Sequence, residues 1–125
     1  MMLNKIKLDV GQKVLVKKLC DLIKQRRLIS FYYESESSGK KEWRVIEPYI
    51  IAKNLKNNLI LVGLPIEQRT NVLTKRITPH YLLKKIDIEK LEVLYETFEE
   101  PKVERQRIVN TPTIKVICRF KYNDE

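Results

Sequence analysis

The sequence predicts a mostly β domain with one N-terminal α-helix, folded as a small β-barrel or a strongly bent sheet. An apolar stripe at helical spacing occurs only near the N-terminus, and about five to seven short alternating segments follow it at close spacing. The chain has 125 residues, of which 43% are apolar. This length and composition suit a single globular domain with one core.

The helix is expected over about residues 10–27. Leu15, Leu19 and Leu22 form one apolar row at the spacing of successive helical turns. Asp9 precedes this row at a position where an N-cap residue is favoured. We therefore expect one amphipathic helix packed on the strands that follow it.

Alternating apolar segments predict the strands in chain order. They are LISFYYE, EWRVIE, YIIA, LILVGL, HYLLKKI, EVLYETF and TIKVICRFKY. Pro48 separates the second segment from the third, and it lacks the N–H of a sheet ladder, so the strand must end, bulge or form an edge there. Within EWRVIE, alternation places Trp43 and Val45 on one face, which we expect to be the core face, and Arg44 on the other.

The charge is strongly positive and unevenly distributed. The net charge is +9, and residues 68–86 contain lysine and arginine but no acid. Acidic residues are concentrated in residues 87–104. A basic surface favours an anionic partner such as nucleic acid, a nucleotide or an acidic protein, although solubility alone also explains it.

Motifs for catalysis, metal binding and membrane insertion are missing from the sequence. Cys20 and Cys118 lie among apolar neighbours and are expected to be small core residues, and His80 is the single histidine, so we expect no zinc site. No nucleophile, phosphate-loop or metalloprotease motif occurs, so we expect no enzymatic activity and no cofactor. No segment resembles a signal peptide or a membrane span, so we expect a cytoplasmic protein without membrane contact.

The order of the segments resembles the WYL domain family over about residues 12–101. Phe31 and Tyr33 in ISFYY match its first strand, and Arg44 and Pro48 in RVIEP match its second motif. The later segments YLLKKI and EVLYETFEEP match its FxLxRI-like motif and its acidic tail.

Two departures from the family pattern accompany this resemblance. The tripeptide that names the family is replaced by Leu59-Ile60-Leu61, which keeps apolar character but not the aromatic residues. The FxLxRI-like motif can be aligned so that it ends at Ile86 or, in a register with a shorter loop, at Ile77.

The resemblance implies a small Sm-like or SH3-like β-barrel that acts as a regulatory ligand-sensing module, linked in bacteria to transcription or phage-defence regulation. Only one helix precedes the strands, so no helix-turn-helix is expected. We expect residues 1–101 to form the WYL-like domain and residues 102–125 to form a connector and a C-terminal strand.

The leading functional hypothesis is binding of single-stranded nucleic acid or a nucleotide. Four aromatic residues interleave with Arg44 in the strands and could stack on bases: Tyr32, Tyr33, Trp43 and Tyr49. Arg44 would contact phosphate, and Tyr33 and Tyr49 would line the ligand. Four cations would widen the positive field: Lys75, Arg76, Lys84 and Lys85.

The alternative hypothesis is a protein-interaction or oligomerisation module without nucleic-acid binding. The LILVGL segment or the last strand would pair at a sheet edge with a second copy of the chain, giving a homodimer, or with a regulatory protein.

Overall fold

The computed structural model describes residues 2–34, 39–67, 80–99 and 113–122. These residues form the helix α1 and a sheet of strands β1 to β6, which confirms the mostly β class with one α-helix. Two short 3-10 turns, Leu83–Lys85 and Ile88–Lys90, lie between β4 and β5. The elements have these bounds: α1 (Met2–Lys24), β1 (Arg27–Glu34), β2 (Lys41–Asn54), β3 (Leu59–Pro65), β4 (His80–Leu82), β5 (Glu92–Thr97) and β6 (Thr113–Arg119).

The strands form one antiparallel sheet with the path β4-β3-β2-β1-β5, and β6 also pairs with β2. The long strand β2 pairs with β3 along one edge. Along its other edge, the first part of β2 pairs with β1 and the last part pairs with β6. Within the described residues β4 and β5 do not pair, so the sheet is not closed into a barrel. The strand β4 has three residues and is followed directly by the 3-10 turn that begins at Leu83.

The strand β2 continues through Pro48 instead of ending there. Its pairing with β3 shifts register between Pro48 and Ile50, so the bulge is the alternative that the chain adopts. Gly63 pairs with Pro48, and a Cβ atom at Gly63 would lie 2.7 Å from the Glu47 carbonyl oxygen and 2.7 Å from Ile46 Cδ1. The absence of a side chain at Gly63 therefore allows β3 to approach β2 at the bulge.

The helix α1 packs on β1, β2 and β6 through the predicted apolar row. Leu15, Leu19 and Leu22 are all buried, as the helical spacing predicted. The helix begins at Met2, so Asp9 lies within it and the predicted N-cap is wrong. It ends at Lys24, earlier than predicted, because Arg26 adopts a left-handed backbone conformation with φ of 58°. None of the helices in the described part of the chain combines the length and apolar character needed to cross a membrane.

A disulfide joins Cys20 of α1 to Cys118 of β6, with the two Cα atoms 6.0 Å apart. The expectation that these residues are simple core cysteines is corrected. The two positions are separated by 98 residues, so no local motif indicates the pairing. They meet because β6 adds to β2 beneath the helix.

Candidate nucleic-acid interface

Trp43 and Arg44 lie on opposite faces of β2, as predicted, but the core face is the reverse of the expected one. Arg44 pairs with the fully buried Phe31, so it lies on the core face, whereas Trp43 pairs with Tyr32 and is 51% exposed. Residues that pair directly across a ladder share one face of the sheet. The burial of Phe31 therefore places Arg44 inward and Trp43 outward.

The outer side of the β1–β2 pair carries an exposed tryptophan beside a partly exposed tyrosine that has a cation over its ring. The ring centroids of Tyr32 and Trp43 lie 5.5 Å apart at an interplanar angle of 53°. The Lys90 ammonium lies 4.9 Å from the centroid of the Tyr32 ring. We call the surface made by Tyr32, Trp43 and Lys90 the outer aromatic face.

A second aromatic–cation pair lies at the neighbouring strand β5. The Arg27 guanidinium lies 5.8 Å from the ring centroid of Tyr95, and Tyr95 is 96% exposed. Arg27 Nε also donates a 2.7 Å hydrogen bond to the Leu94 carbonyl, which holds the guanidinium beside the strand. Aromatic rings next to cations therefore occur at β1 and β5, two adjacent strands of the sheet.

Arg44 lies at the border between the core and solvent, with 27% of its side chain exposed. Its Nη2 atom lies 3.4 Å from Glu42 Oε2, so Arg44 forms an ion pair with an acid of its own strand. The Nε atom is buried and has no hydrogen-bond partner within the described residues. Burial raises the pKa of the nearby Tyr81 to about 12, and the positive charge of Arg44 opposes this shift.

The two tyrosines predicted to line a ligand are buried instead. The Tyr33 hydroxyl accepts a 3.0 Å hydrogen bond from the Leu82 backbone N–H and so links β1 to β4. Tyr49 is 0% exposed and donates a 2.6 Å hydrogen bond to Glu47 Oε1. In this arrangement neither ring offers a face to a ligand, because both tyrosines lie on the buried side of their strands.

The predicted cations do not all lie near Arg44. Lys84 is exposed and lies beside Lys53 in a shallow pocket of about 160 Å³ near the C-terminal end of β2, whereas Arg44 lies near the N-terminal end. Lys85 is half-buried. Two more predicted cations lie outside the described residues: Lys75 and Arg76.

The two registers of the FxLxRI-like motif differ in whether the structure describes them. Ile86, which ends one of them, is a buried core residue directly after the 3-10 turn that follows β4. Ile77, which ends the other, lies outside the described residues.

Comparisons with known proteins identify a shared fold. No protein-family model matches the sequence, and no curated protein matches it. The structure is similar to that of proteasome accessory factor B/C (PafBC) of Arthrobacter aurescens, with a TM-score of 0.58 and 21% sequence identity. The similarity covers 76% of this chain but only 14% of the PafBC chain. The chain therefore shares its fold with one part of a much longer protein.

Proposed function

We propose that this chain is a WYL-type regulatory module that binds single-stranded nucleic acid on its outer aromatic face. The order of the sequence motifs supports the family, and so does the fold shared with part of PafBC, which contains a WYL domain. Fold similarity alone does not carry a ligand from one protein to another. The binding proposal therefore rests on the side chains of this chain.

The observation that carries the proposal is the half-exposed Trp43 beside Tyr32, with the Lys90 ammonium over the Tyr32 ring. Covering an indole that is exposed to water with a flat apolar partner lowers the free energy. A nucleobase is such a partner, and each base stacked on an aromatic side chain contributes about 1–3 kcal/mol. Lys90 supplies a positive charge where the phosphate of a stacked nucleotide would pass.

A single strand fits this surface better than a duplex does. The bases of a duplex are already stacked on each other, so an aromatic ring on a sheet can reach only unpaired bases. Reading a duplex through its major groove requires a helix or a two-stranded ribbon that enters the groove. The outer aromatic face instead presents its side chains on the surface of a sheet, which does not enter a groove. We expect little dependence on sequence, because every base has a π face.

Arg44 supports a second candidate, a nucleotide bound at the core-facing side of β2. Its buried Nε is a donor without an acceptor within the described residues, and a phosphate oxygen would satisfy it. Such a phosphate would have to displace the Glu42 carboxylate from Arg44. The two candidates differ in which side chain is essential, Trp43 or Arg44.

The test is a titration of a labelled oligothymidine of about 12 nucleotides, followed by fluorescence polarisation at about 50 and about 200 mM salt. Trp43→Ala is expected to weaken binding by about 5- to 150-fold, the equivalent of one lost stacking contact. Leu55→Ala is the matched control, because Leu55 is also a large apolar residue, 73% exposed, but lies in the β2–β3 hairpin. It is expected to bind like the unmodified protein.

Three results would contradict the proposal. One is no binding at low salt, and the second is an equal loss of binding in Trp43→Ala and Leu55→Ala. In the third, Arg44→Ala removes binding while Trp43→Ala does not, which would assign the ligand to the Arg44 side. A stable dimer in light scattering, together with no oligonucleotide affinity, would favour the interaction-module hypothesis.

A further inference from the structure

A cleft of about 280 Å³ lies where the end of α1 meets the end of β6. We call it the α1–β6 cleft. It shares no described lining residue with the outer aromatic face. Its described lining residues come from two stretches that are distant in sequence: Ile23, Lys24, Arg26, Arg119, Phe120, Lys121 and Tyr122.

Four of these lining side chains are cationic, and none of the described ones is acidic. Lys24 and Arg26 come from the helix side, and Arg119 and Lys121 come from the β6 side. Lys24 and Lys121 are exposed and have no ion-pair partner among the described residues. The C-terminal end of a helix contributes only about half a negative charge, which is small against the two positive charges of Lys24 and Lys121. The cleft therefore attracts anions.

The floor of the cleft is a packed aromatic cluster. The Phe120 ring is buried and stacks on Phe98, with the centroids 5.6 Å apart, and the Tyr122 ring lies nearly perpendicular to it, with the centroids 5.5 Å apart. The Arg26 guanidinium lies 4.8 Å from the centroid of the Phe120 ring, and its Nη2 lies 3.5 Å from the Lys121 carbonyl oxygen. A guanidinium held over a ring keeps its plane fixed, which favours recognition of phosphate.

The disulfide holds the two walls of the cleft together. Cys20 lies one helical turn before Lys24, and Cys118 directly precedes Arg119. A covalent link between α1 and β6 at this point limits how far the two pairs of cations can separate. Lys24 and Lys121 carry like charges on opposite walls and repel each other, and the disulfide opposes their separation.

The size and burial of the cleft define the class of ligand. Pockets that enclose drug-sized ligands have volumes of about 300–1,000 Å³, so this cleft suits a smaller molecule or one end of a larger one. Because Phe120 and Tyr122 are buried, they offer little ring surface for stacking a base. The cations supply the recognition, and arginine and lysine together are suited to phosphate.

We propose that the α1–β6 cleft is a binding site for a phosphate-bearing ligand, and that the Cys20–Cys118 disulfide keeps the cleft in its binding shape. The phosphate can belong to a small phosphorylated compound or to a nucleic-acid strand. The chemistry that the cleft recognises is the same in both cases.

The test is isothermal titration of the oxidised protein with pyrophosphate at low ionic strength. Lys121→Glu and Lys24→Gln are expected to weaken binding, the charge reversal by about tenfold or more. Lys115→Glu is the matched control for Lys121→Glu, because it changes the charge equally at an exposed position of β6 before the cleft. It is expected to keep the affinity within about twofold. Circular dichroism establishes that each variant is folded.

Reduction of the disulfide and competition with an oligonucleotide complete the experiment. We expect reduced protein to bind pyrophosphate more weakly. Displacement of pyrophosphate by oligothymidine would support a nucleic-acid phosphate as the ligand, and retention of pyrophosphate would support a small phosphorylated compound.

No heat with pyrophosphate, or equal losses of affinity in Lys121→Glu and Lys115→Glu, would overturn the binding site. Unchanged affinity after reduction would overturn the role of the disulfide.

Discussion

Gly63 of β3 lies opposite Pro48 of β2, at the point where β2 bulges. Pro48 cannot donate a ladder hydrogen bond, and Gly63 has no side chain to hold the two strands apart. These residues look unrelated in the sequence, but together they allow β2 to continue as one long strand. That strand positions both Trp43 near its start and the pairing with β6 near its end.

Gly63→Ala is expected to lower the free energy of unfolding by about 1–3 kcal/mol, the usual range for overpacking. The new Cβ would lie 2.7 Å from the Glu47 carbonyl oxygen, a backbone atom that cannot rotate away. Gly11→Ala is the matched control, because a Cβ at Gly11 in α1 meets nothing within 4 Å. It is expected to stabilise the protein by up to about 1 kcal/mol.

Urea unfolding of the two alanine variants measures both effects. Equal stabilities of the two variants would contradict the close approach of β3 to β2 at the bulge.

Removal of the disulfide is expected to destabilise the protein. The bond closes a loop with a sequence separation of 98 residues, for which the chain-entropy account gives about 4.7 kcal/mol, and removal of a native disulfide typically costs about 2–5 kcal/mol. Urea unfolding with and without reductant, compared with the Cys20→Ala/Cys118→Ala double variant, measures this loss. Identical midpoints in all three experiments, or two free thiols in the oxidised protein, would contradict the pairing.

Tyr32 and Tyr33 are adjacent but are expected to differ in their contribution to stability. Tyr33→Phe leaves the Leu82 backbone N–H without the hydroxyl that accepts its hydrogen bond, at a cost of about 1–2 kcal/mol. Tyr32→Phe on the outer aromatic face is expected to change the free energy of unfolding by less than about 0.5 kcal/mol. Thermal or urea unfolding of the two variants checks which tyrosine lies on the buried face. A larger loss of stability in Tyr32→Phe than in Tyr33→Phe would contradict this assignment.

His80 is expected to titrate below the ordinary range of histidine. Burial lowers its pKa from 6.5, and its Nε2 atom has no hydrogen-bond partner within the described residues. As the pH falls, the His80 ring is protonated at a higher pH in the unfolded state than in the folded state. The stability that comes from burying the neutral His80 ring is therefore present above pH 6.5 and is lost as the pH falls from 6.5 through the folded pKa.

The sequence contains one histidine, so its ring proton gives a single NMR titration curve. A midpoint at or above 6.5 would contradict the burial of the ring.

The sequence predicted local structure better than it predicted which side chains lie together. The helical row of Leu15, Leu19 and Leu22 and the alternation of the strands indicate elements directly, because each depends on neighbours in the chain. The alternation in β2 also separated Trp43 from Arg44 correctly. It could not tell which of them faces the core, because that depends on pairing with Phe31 in another strand.

Features formed by distant segments were missed for the same reason. Nothing near Cys20 in the sequence points to Cys118, and the cations of the α1–β6 cleft come from the two ends of the chain. Tyr32 and Tyr33 are both strand aromatics, and only the pairing of β1 with β2 shows that Tyr33 is buried and Tyr32 partly exposed. Enrichment in aromatic residues and arginine favours base stacking and phosphate contact as a type of chemistry, but it does not predict where these side chains lie.

The most direct test of the central claim is the fluorescence of Trp43, because it is the only tryptophan in the sequence. Titration with unlabelled oligothymidine at low salt is predicted to quench its emission to a plateau, with a midpoint that moves to higher concentration as salt is added. Binding detected by polarisation with no change in Trp43 emission would show that the nucleic acid lies elsewhere. That result would contradict the outer aromatic face as the binding surface.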